Sequence, residues 1–354
     1  MTEHTHERLS RRSLMGGTPS AAVAVGLPWL GVGCGTAAAG SQDLDGAKDA
    51  AFFGVESVVT HGAVGDLKAD DTAAFQRAID ALPDSGGVIA CPMPIRGYRL
   101  TATVRCRKPA VCIIGMGKPG YNEEPLPRYY GTAIYCDVPE TTVLEFDAGR
   151  LLHSGPCLEN LAFIARHPSV GFVAIAEQNQ WTIRDCHFRA SAKAISINRR
   201  SSDASWGLID NCSFHSNKYG IYATSTYGFE IRGGRFTGAR DATAVFLGAD
   251  TQHVRISNTL FDDTVGIDCS GGLHHVEGCK FERCPTGIAI RWDTNGPAMS
   301  GRGNRVIGCT FGGSGSETGI EIEAGAQQTR VIAAHFFRQR VPIADHGGDT
   351  VVLG

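Results

Sequence analysis

A six-residue phrase, Ile183-Arg-Asp-Cys-His-Phe188, returns with variations along the second half of this chain. It reappears as Ile209-Asp-Asn-Cys-Ser-Phe214, Ile231-Arg-Gly-Gly-Arg-Phe236, Ile256-Ser-Asn-Thr-Leu-Phe261, Val276-Glu-Gly-Cys-Lys-Phe281, Val306-Ile-Gly-Cys-Thr-Phe311 and Val331-Ile-Ala-Ala-His-Phe336, with a weaker first copy at Leu158-Glu-Asn-Leu-Ala-Phe163. Successive phenylalanines stand 25, 26, 22, 25, 20, 30 and 25 residues apart. A fixed period of that size means a stack of similar units, each burying its apolar face against the next. A chain of 354 residues can then form one continuous core.

Val, Ile and Phe carry the apolar content, Met is scarce and Gly is abundant at 45 residues, so the units read as short strands and turns, not helices. A second landmark follows each Phe by five to eight residues: Ala194-Ile-Ser-Ile197, Gly220-Ile-Tyr-Ala223, Ala244-Val-Phe-Leu247, Gly266-Ile-Asp-Cys269, Gly287-Ile-Ala-Ile290 and Gly319-Ile-Glu-Ile322. Alternation along a strand puts Ile195, Ile221, Val245, Ile267, Ile288 and Ile320 in one inward ladder. Asn160, Asp185, Asn211, Gly233, Asn258, Gly278 and Gly308 are types that tolerate left-handed backbone, and they mark a tight bend in every unit. The fold class expected is all-β: a single-stranded parallel β-solenoid.

Twelve cysteines would suggest disulfides in an exported protein. Cys186, Cys212, Cys279 and Cys309, however, share one repeat position, where parallel Cβ vectors hold neighbouring sulfurs apart. Free, buried thiols are expected there. Export itself is expected from residues 1–39: Ser10-Arg-Arg-Ser-Leu-Met15 precedes an Ala- and Gly-rich run from Ala21 to Val32, as in a twin-arginine signal. Processing is open between Ala37-Ala-Ala39 and a lipoprotein-type site at Cys34, so the destination is periplasmic, secreted or lipid-anchored at the cell surface. The apolar run is too short for a transmembrane span. Residues 40–51 read as a linker and 52–354 as the folded domain. A net charge of -3 without a basic stripe argues against nucleic acid as a partner.

Ahead of the repeats, Asp70, Asp71 and Thr72 supply helix-capping side chains, and Ala74, Phe75, Ala78, Ile79 and Leu82 share one face. A helix near 70–82 would cover the first rung of the stack, and Gly86-Gly87 ends it. Strands are expected near 88–91, 111–114 and 142–146, with a loop from Pro119 to Tyr130. The run Gly62-Ala-Val-Gly-Asp66, Asp70-Asp-Thr-Ala-Ala-Phe-Gln76, Gly86-Gly-Val-Ile89 and Tyr98-Arg-Leu100 resembles the N-terminal segment of the pectate-lyase-like superfamily. That group is similar to polygalacturonases, rhamnogalacturonases and phage tailspikes, and the close match covers roughly residues 55 to 118. The resemblance implies a right-handed parallel β-helix with an N-terminal capping helix and a polysaccharide or oligosaccharide partner. One departure matters. Polygalacturonase-like hydrolases carry Asn-Thr-Asp-Gly and Asp-Asp where the second strand begins, whereas this chain has Lys218-Tyr-Gly220, Thr264-Val-Gly266 and Pro285-Thr-Gly287.

The register also maps the outer face of that strand. One column reads Ser196, Tyr222, Phe246, Asp268, Ala289, Glu321; the next reads Asn198, Thr224, Gly248, Ser270, Arg291, Glu323. Aromatics for sugar stacking, carboxylates for acid/base work and a guanidinium for a uronate are the ingredients of a glycan groove. Insertions leave the same corner at Asn198–Trp206 and Trp292–Asn304, which makes Trp206, Trp292, Asp293 and Arg199 further candidates for substrate contact. The candidate catalytic set is Asp268, Arg291, Glu321 and Glu323. Asp268, Glu321 and Glu323 are also the candidate ligands for calcium, the one cofactor the pattern suggests. Eliminative cleavage of an acidic polysaccharide is the leading function, with Arg291 as base or as charge stabiliser. A glycoside hydrolase of the same fold and a non-catalytic polysaccharide-binding solenoid are the alternatives, and Glu321 with Glu323 would equally suit a solvated strand face. His274 and His275 are expected at a solvated turn.

Overall fold

A computed structural model of the chain describes residues 54–117, 120–122, 128–147, 154–198 and 206–354. The expected signal, its processing site and Cys34, the linker 40–51 and Arg199 lie outside the described residues. Among those described, no helix is long and apolar enough to cross a membrane.

Three parallel sheets of 12, 10 and 10 strands run the length of the domain; each complete turn of the chain contributes one strand to each, and the first sheet has one further strand at either end. In one typical turn the strands are Trp181–Arg184, His187–Arg189 and Lys193–Asn198. The six-residue phrase spans the first two. Its bend residue adopts positive φ at every predicted position, from Asn258 at 49° to Gly233 at 63°, and Ala333 joins them at 49°. One left-handed residue suffices to turn the chain from the first sheet to the second.

Both inward ladders form as expected. Phe163, Phe188, Phe214, Phe236, Phe261, Phe281, Phe311 and Phe336 stack ring on ring, with centroids 4.3 to 5.2 Å apart. Ile195, Ile221, Val245, Ile267, Ile288 and Ile320 are all buried, and each pairs with the next in register. The column cysteines are free thiols, and their environment explains their recurrence. Cys186 Sγ lies 3.3 Å from Arg184 O and Cys212 Sγ 3.3 Å from Asp210 O, so the thiol adds a weak second donor to a carbonyl that already accepts a backbone amide from the preceding turn. Thr259 does the same through its hydroxyl, 2.9 Å from Ser257 O. A small side chain with a weak donor suits this position, although Leu161, Gly234 and Ala334 fill it in other turns without one.

The capping helix α1 spans Thr72–Ala81 and buries Ala74, Phe75, Ala78 and Ile79. Asp70 Oδ1 accepts from Thr72 N at 3.0 Å, but Asp71 does not cap the helix. Its buried carboxylate instead accepts from Val64 N, Gly65 N and Arg99 N, tying the Gly62–Asp66 loop to the first turns. Gln76 pairs through its side-chain amide with both backbone groups of Arg105, at 3.0 and 2.9 Å. Arg105 lies in the strand Val104–Cys106 at the N-terminal edge of the third sheet, so the helix closes an edge that would otherwise invite pairing.

Three expectations need correction. The stretch 119–130 contains a two-stranded antiparallel ribbon, Gly120–Asn122 with Arg128–Tyr130, in place of a plain loop. The second outward column holds only in the later turns. The pairing slips between Ile197 and Asn198 and again between Ala223 and Ser225, so Asn198 faces Ser225 and Thr224 and Gly248 drop out of line. In these turns the strands run on as Tyr219–Tyr227 and Thr243–Gln252, and the bulge resets the alternation so that Thr226 and Thr251 are buried at the corner. Finally, His274 is not solvated. It is 2% exposed, and its Nδ1 accepts from Val254 N at 3.2 Å, which requires the neutral ring. Burial, and then the nearby His253, pull its pKa down to about 3.

The linkage sign follows directly. The unfolded imidazole takes up a proton near pH 6.5 while the folded one refuses it until about pH 3. Stability is fully present above pH 6.5 and falls as the medium is acidified toward 3, by up to about 1.4 kcal/mol per pH unit for one such group. Urea midpoints measured across this window should decline for the native chain, and His274→Gln should flatten part of that slope. Equal slopes for the two proteins would show that His274 is not the group responsible.

Candidate functional site

The first outward column of the third sheet exists as read. Ser196, Tyr222, Phe246, Asp268, Ala289 and Glu321 are successive cross-strand partners. Rungs of parallel strands are about 4.8 Å apart, so side chains two rungs apart can be bridged by one long residue. Arg291 is that residue. It leaves the end of the strand Thr286–Ile290, with Arg291 N bonded to Cys269 O at 2.7 Å. Its Nε lies 3.4 Å from Asp268 Oδ1 and its Nη1 3.1 Å from Glu321 Oε2. The intervening Ala289 faces outward yet is fully buried. Its small side chain leaves room for the guanidinium to cross from one carboxylate to the other.

The cluster shifts the protonation of Asp268 and of Arg291. Burial, with the charges of Glu321 and Glu323 behind it, raises the Asp268 carboxyl above the usual range even though Arg291 pulls the other way. Burial works against the charge on Arg291, but Asp268 and Glu321 outweigh it and hold the guanidinium more firmly protonated than usual. Arg291 is therefore fitted to stabilise charge and unsuited to act as a base. Glu323 Oε2 accepts from Trp292 N at 2.9 Å and anchors the chain as it leaves the cluster. Among the described residues no group of three or more His, Cys, Asp or Glu side chains could hold a metal ion. The Arg291 guanidinium stands between the carboxylates expected to bind calcium.

Tyr222 and Phe246 stack at 4.8 Å with an interplanar angle of 13°, and Tyr219 meets both edge-on at 5.0 and 6.1 Å. Two lysines flank this platform. Lys193 Nζ sits 3.8 Å from the Tyr222 ring centre and Lys218 Nζ 5.8 Å from that of Tyr219. A cavity of about 350 Å³ continues past them toward the N-terminal turns, over Thr142, Ser169, Ala174, Lys193 and Ser196. Lys193, Tyr219 and Lys218 were not in the candidate set. All precede the small-residue landmark, outside the alternation used to choose outward positions.

Trp206 is 62% exposed and lies over Gly228 at the corner into the first sheet, 3.5 Å from where a Cβ would stand. Trp292 packs on Gly325, whose φ of 98° and lack of Cβ admit the ring; a Cβ there would come within 2.4 Å of it. Asp293 is exposed and shapes its own loop, accepting from Asn295 N at 2.9 Å while its amide donates to Ser300 Oγ.

A second depression, of about 470 Å³, lies on the second sheet and was not anticipated. His187 Nδ1 is 2.7 Å from Ser213 Oγ, and His215 Nδ1 is 2.7 Å from Thr237 Oγ1. Asp262, 6% exposed, is gripped by Arg283 at 2.6 Å through each carboxylate oxygen. Burial, with His215 and Arg189 adding to it, pulls the His187 pKa down to about 4. These residues flank the Phe of the phrase, so the sequence held a signal for them in its alternation of polar, Phe, polar.

The family model described as Right handed beta helix region matches residues 171–347, half of the chain. No curated protein sequence matches the chain. Among solved structures, the ORF18 protein of Geobacillus virus E2 is similar with a TM-score of 0.67 at 16% identity, over 90% of this chain and 65% of the viral one. The chain thus spans about two thirds of that protein's length. PfbA, a surface adhesin of Streptococcus pneumoniae, gives 0.60 at 15% identity, over 85% of this chain and 89% of PfbA. An alginate lyase from Paenibacillus sp. gives 0.54 at 11%, over 78% of this chain and 97% of the lyase. At these identities the likeness is one of fold. The matched region covers half of the chain and coincides with the three-sheet coil, so the chain belongs to the right-handed β-helix family.

Proposed function

We propose that this protein is a carbohydrate-active enzyme that cleaves an acidic polysaccharide by β-elimination on the outer face of its third sheet. The observation that carries the reading is the Asp268–Arg291–Glu321 cluster, one guanidinium between two carboxylates, beside an aromatic platform flanked by Lys193 and Lys218. The aromatic platform gives a sugar apolar surface to pack on, and the adjacent ammonium groups favour sugars that carry carboxylates. Arg291 neutralises the uronate carboxylate next to the bond that breaks, which makes the C5 proton easier to remove. Glu321 takes that proton, the C4–C5 double bond forms as the C4–O bond breaks, and Asp268 delivers its proton to the leaving oxygen. A carboxyl with a raised pKa is suited to that last step. Elimination on a uronate polymer is chemistry this scaffold can carry, since an alginate lyase shares the fold.

The test is to incubate the full chain with pectate, alginate and glucuronan and follow the absorbance of the unsaturated product. Absorbance rising with one of these polymers is the expected result. New reducing ends without that absorbance would replace elimination by hydrolysis. Tight binding without either product would leave a polysaccharide-binding protein.

A further inference from the structure

The outer face of the first sheet carries a separate arrangement of charge. In its earlier turns each arginine meets a carboxylate from a neighbouring turn: Arg184 with Glu159, Arg232 with Asp210 at 2.9 Å, and Arg255 with Glu277. The last turns break that pattern. Arg255, His275, Arg305 and Arg330 form one column of consecutive cross-strand partners. Glu277 serves Arg255 and lies 3.7 Å from His275. Arg305 and Arg330 stand directly opposite each other and exposed, and among the described residues neither has a carboxylate within 4.0 Å. Like charges facing each other across a sheet cost stability, so this pair is a deficit in the free chain that an anion would remove.

The two guanidiniums border a cavity of about 430 Å³, lined also by Leu273, Gln328, Asp349 and Val351. We propose that this is a second glycan-holding site, in which Arg305 and Arg330 bind successive acidic groups of a polysaccharide on a different sheet from the cleavage cluster. Guanidinium forks match carboxylate and sulfate oxygens bidentately. The rung spacing of about 4.8 Å sets the two forks one above the other along the stack, where a polymer with regularly spaced charges can meet each in turn. Asp349 shares the cavity, which favours spaced charges over one compact anion lodged at its centre. Nucleic acid is the poorer occupant, because the lining offers no aromatic ring on which a base could stack. The site depends on the cleavage proposal only for the identity of the polymer.

Affinity electrophoresis through gels containing polygalacturonate, alginate or a sulfated glycan tests it, with a neutral glucan and an oligonucleotide as comparisons. Arg291→Ala serves as the parent so that nothing is cut during the run, and Arg305→Gln with Arg330→Gln is added to it. We expect retention of the parent by at least one acidic glycan, sensitive to salt, and weakened about tenfold or more by the pair of substitutions as two charge-assisted contacts are lost. Undiminished retention, no retention of the parent by any acidic glycan, or a preference for the oligonucleotide would each overturn the site. In a chain with Arg291 intact, Arg305→Gln/Arg330→Gln should leave cleavage of short oligosaccharides unchanged. Loss of retention by this pair in a protein that cleaves nothing would reject the reaction and keep the site.

Discussion

Asp268→Asn should lower turnover of the acidic polysaccharide by about 10²- to 10⁴-fold, the usual worth of a positioned general acid, while leaving binding of the polymer nearly intact. The amide keeps the shape of the side chain and can still meet Arg291, so the fold and the groove survive. What disappears is the proton for the leaving oxygen. The pH profile gives a second, more selective reading. Asp268 acts in its protonated form, so activity should fall as pH rises through its elevated pKa. Glu321 raises that value and Arg291 lowers it. In residual activity, Arg291→Gln should therefore move the alkaline limb to higher pH and Glu321→Gln should move it to lower pH. A limb that stays put in both variants would mean that another group supplies the proton, whatever the loss of rate.

The opposite signs of those two shifts come from a geometry that the sequence only half contained. Alternation along Gly266-Ile-Asp-Cys269 and Gly319-Ile-Glu-Ile322 was enough to place Asp268 and Glu321 in one outward column, because a strand buried on one face tolerates only one register. Continuing the same count past the strand ends puts Arg291 and Glu323 beside them, because those two turns are regular. The same count failed at Thr224 and Gly248, where a bulge absorbs a residue and nothing in the local composition announces it. Contacts that depend on side-chain reach were also illegible. The passage of Arg291 across Ala289, the seat of Lys193 over Tyr222 and the burial of His274 are fixed by neighbours 20 or more residues away. Repetition specifies the coil; what decorates it is settled by packing between turns.

Loss of one ring from the phenylalanine stack should have the largest effect on stability. Phe236 is 2% exposed, and its ring lies 4.3 Å from that of Phe214 and 5.1 Å from that of Phe261. Gly220 leaves it space, since a Cβ there would fall 2.7 Å from the ring, so the opposing backbone has no side chain with which to fill a vacancy. Phe236→Ala should therefore cost about 3–5 kcal/mol, at the high end because two stacked partners are lost together. Each turn of a solenoid contacts only its neighbours, and a defect at a central turn weakens the coupling between the two halves. Denaturant unfolding should then broaden or split into two transitions. Phe336→Ala supplies the contrast: its ring has one stacked neighbour, Phe311 at 5.1 Å, and is only partly buried in the last turn of its sheet. That substitution should cost markedly less and leave a single transition, as fraying at an end does not divide the stack. Equal losses from the two variants would refute nearest-neighbour coupling. The column would then be stabilised as a whole, and the turns that carry Tyr222, Phe246 and Asp268 would not be held in place one by one.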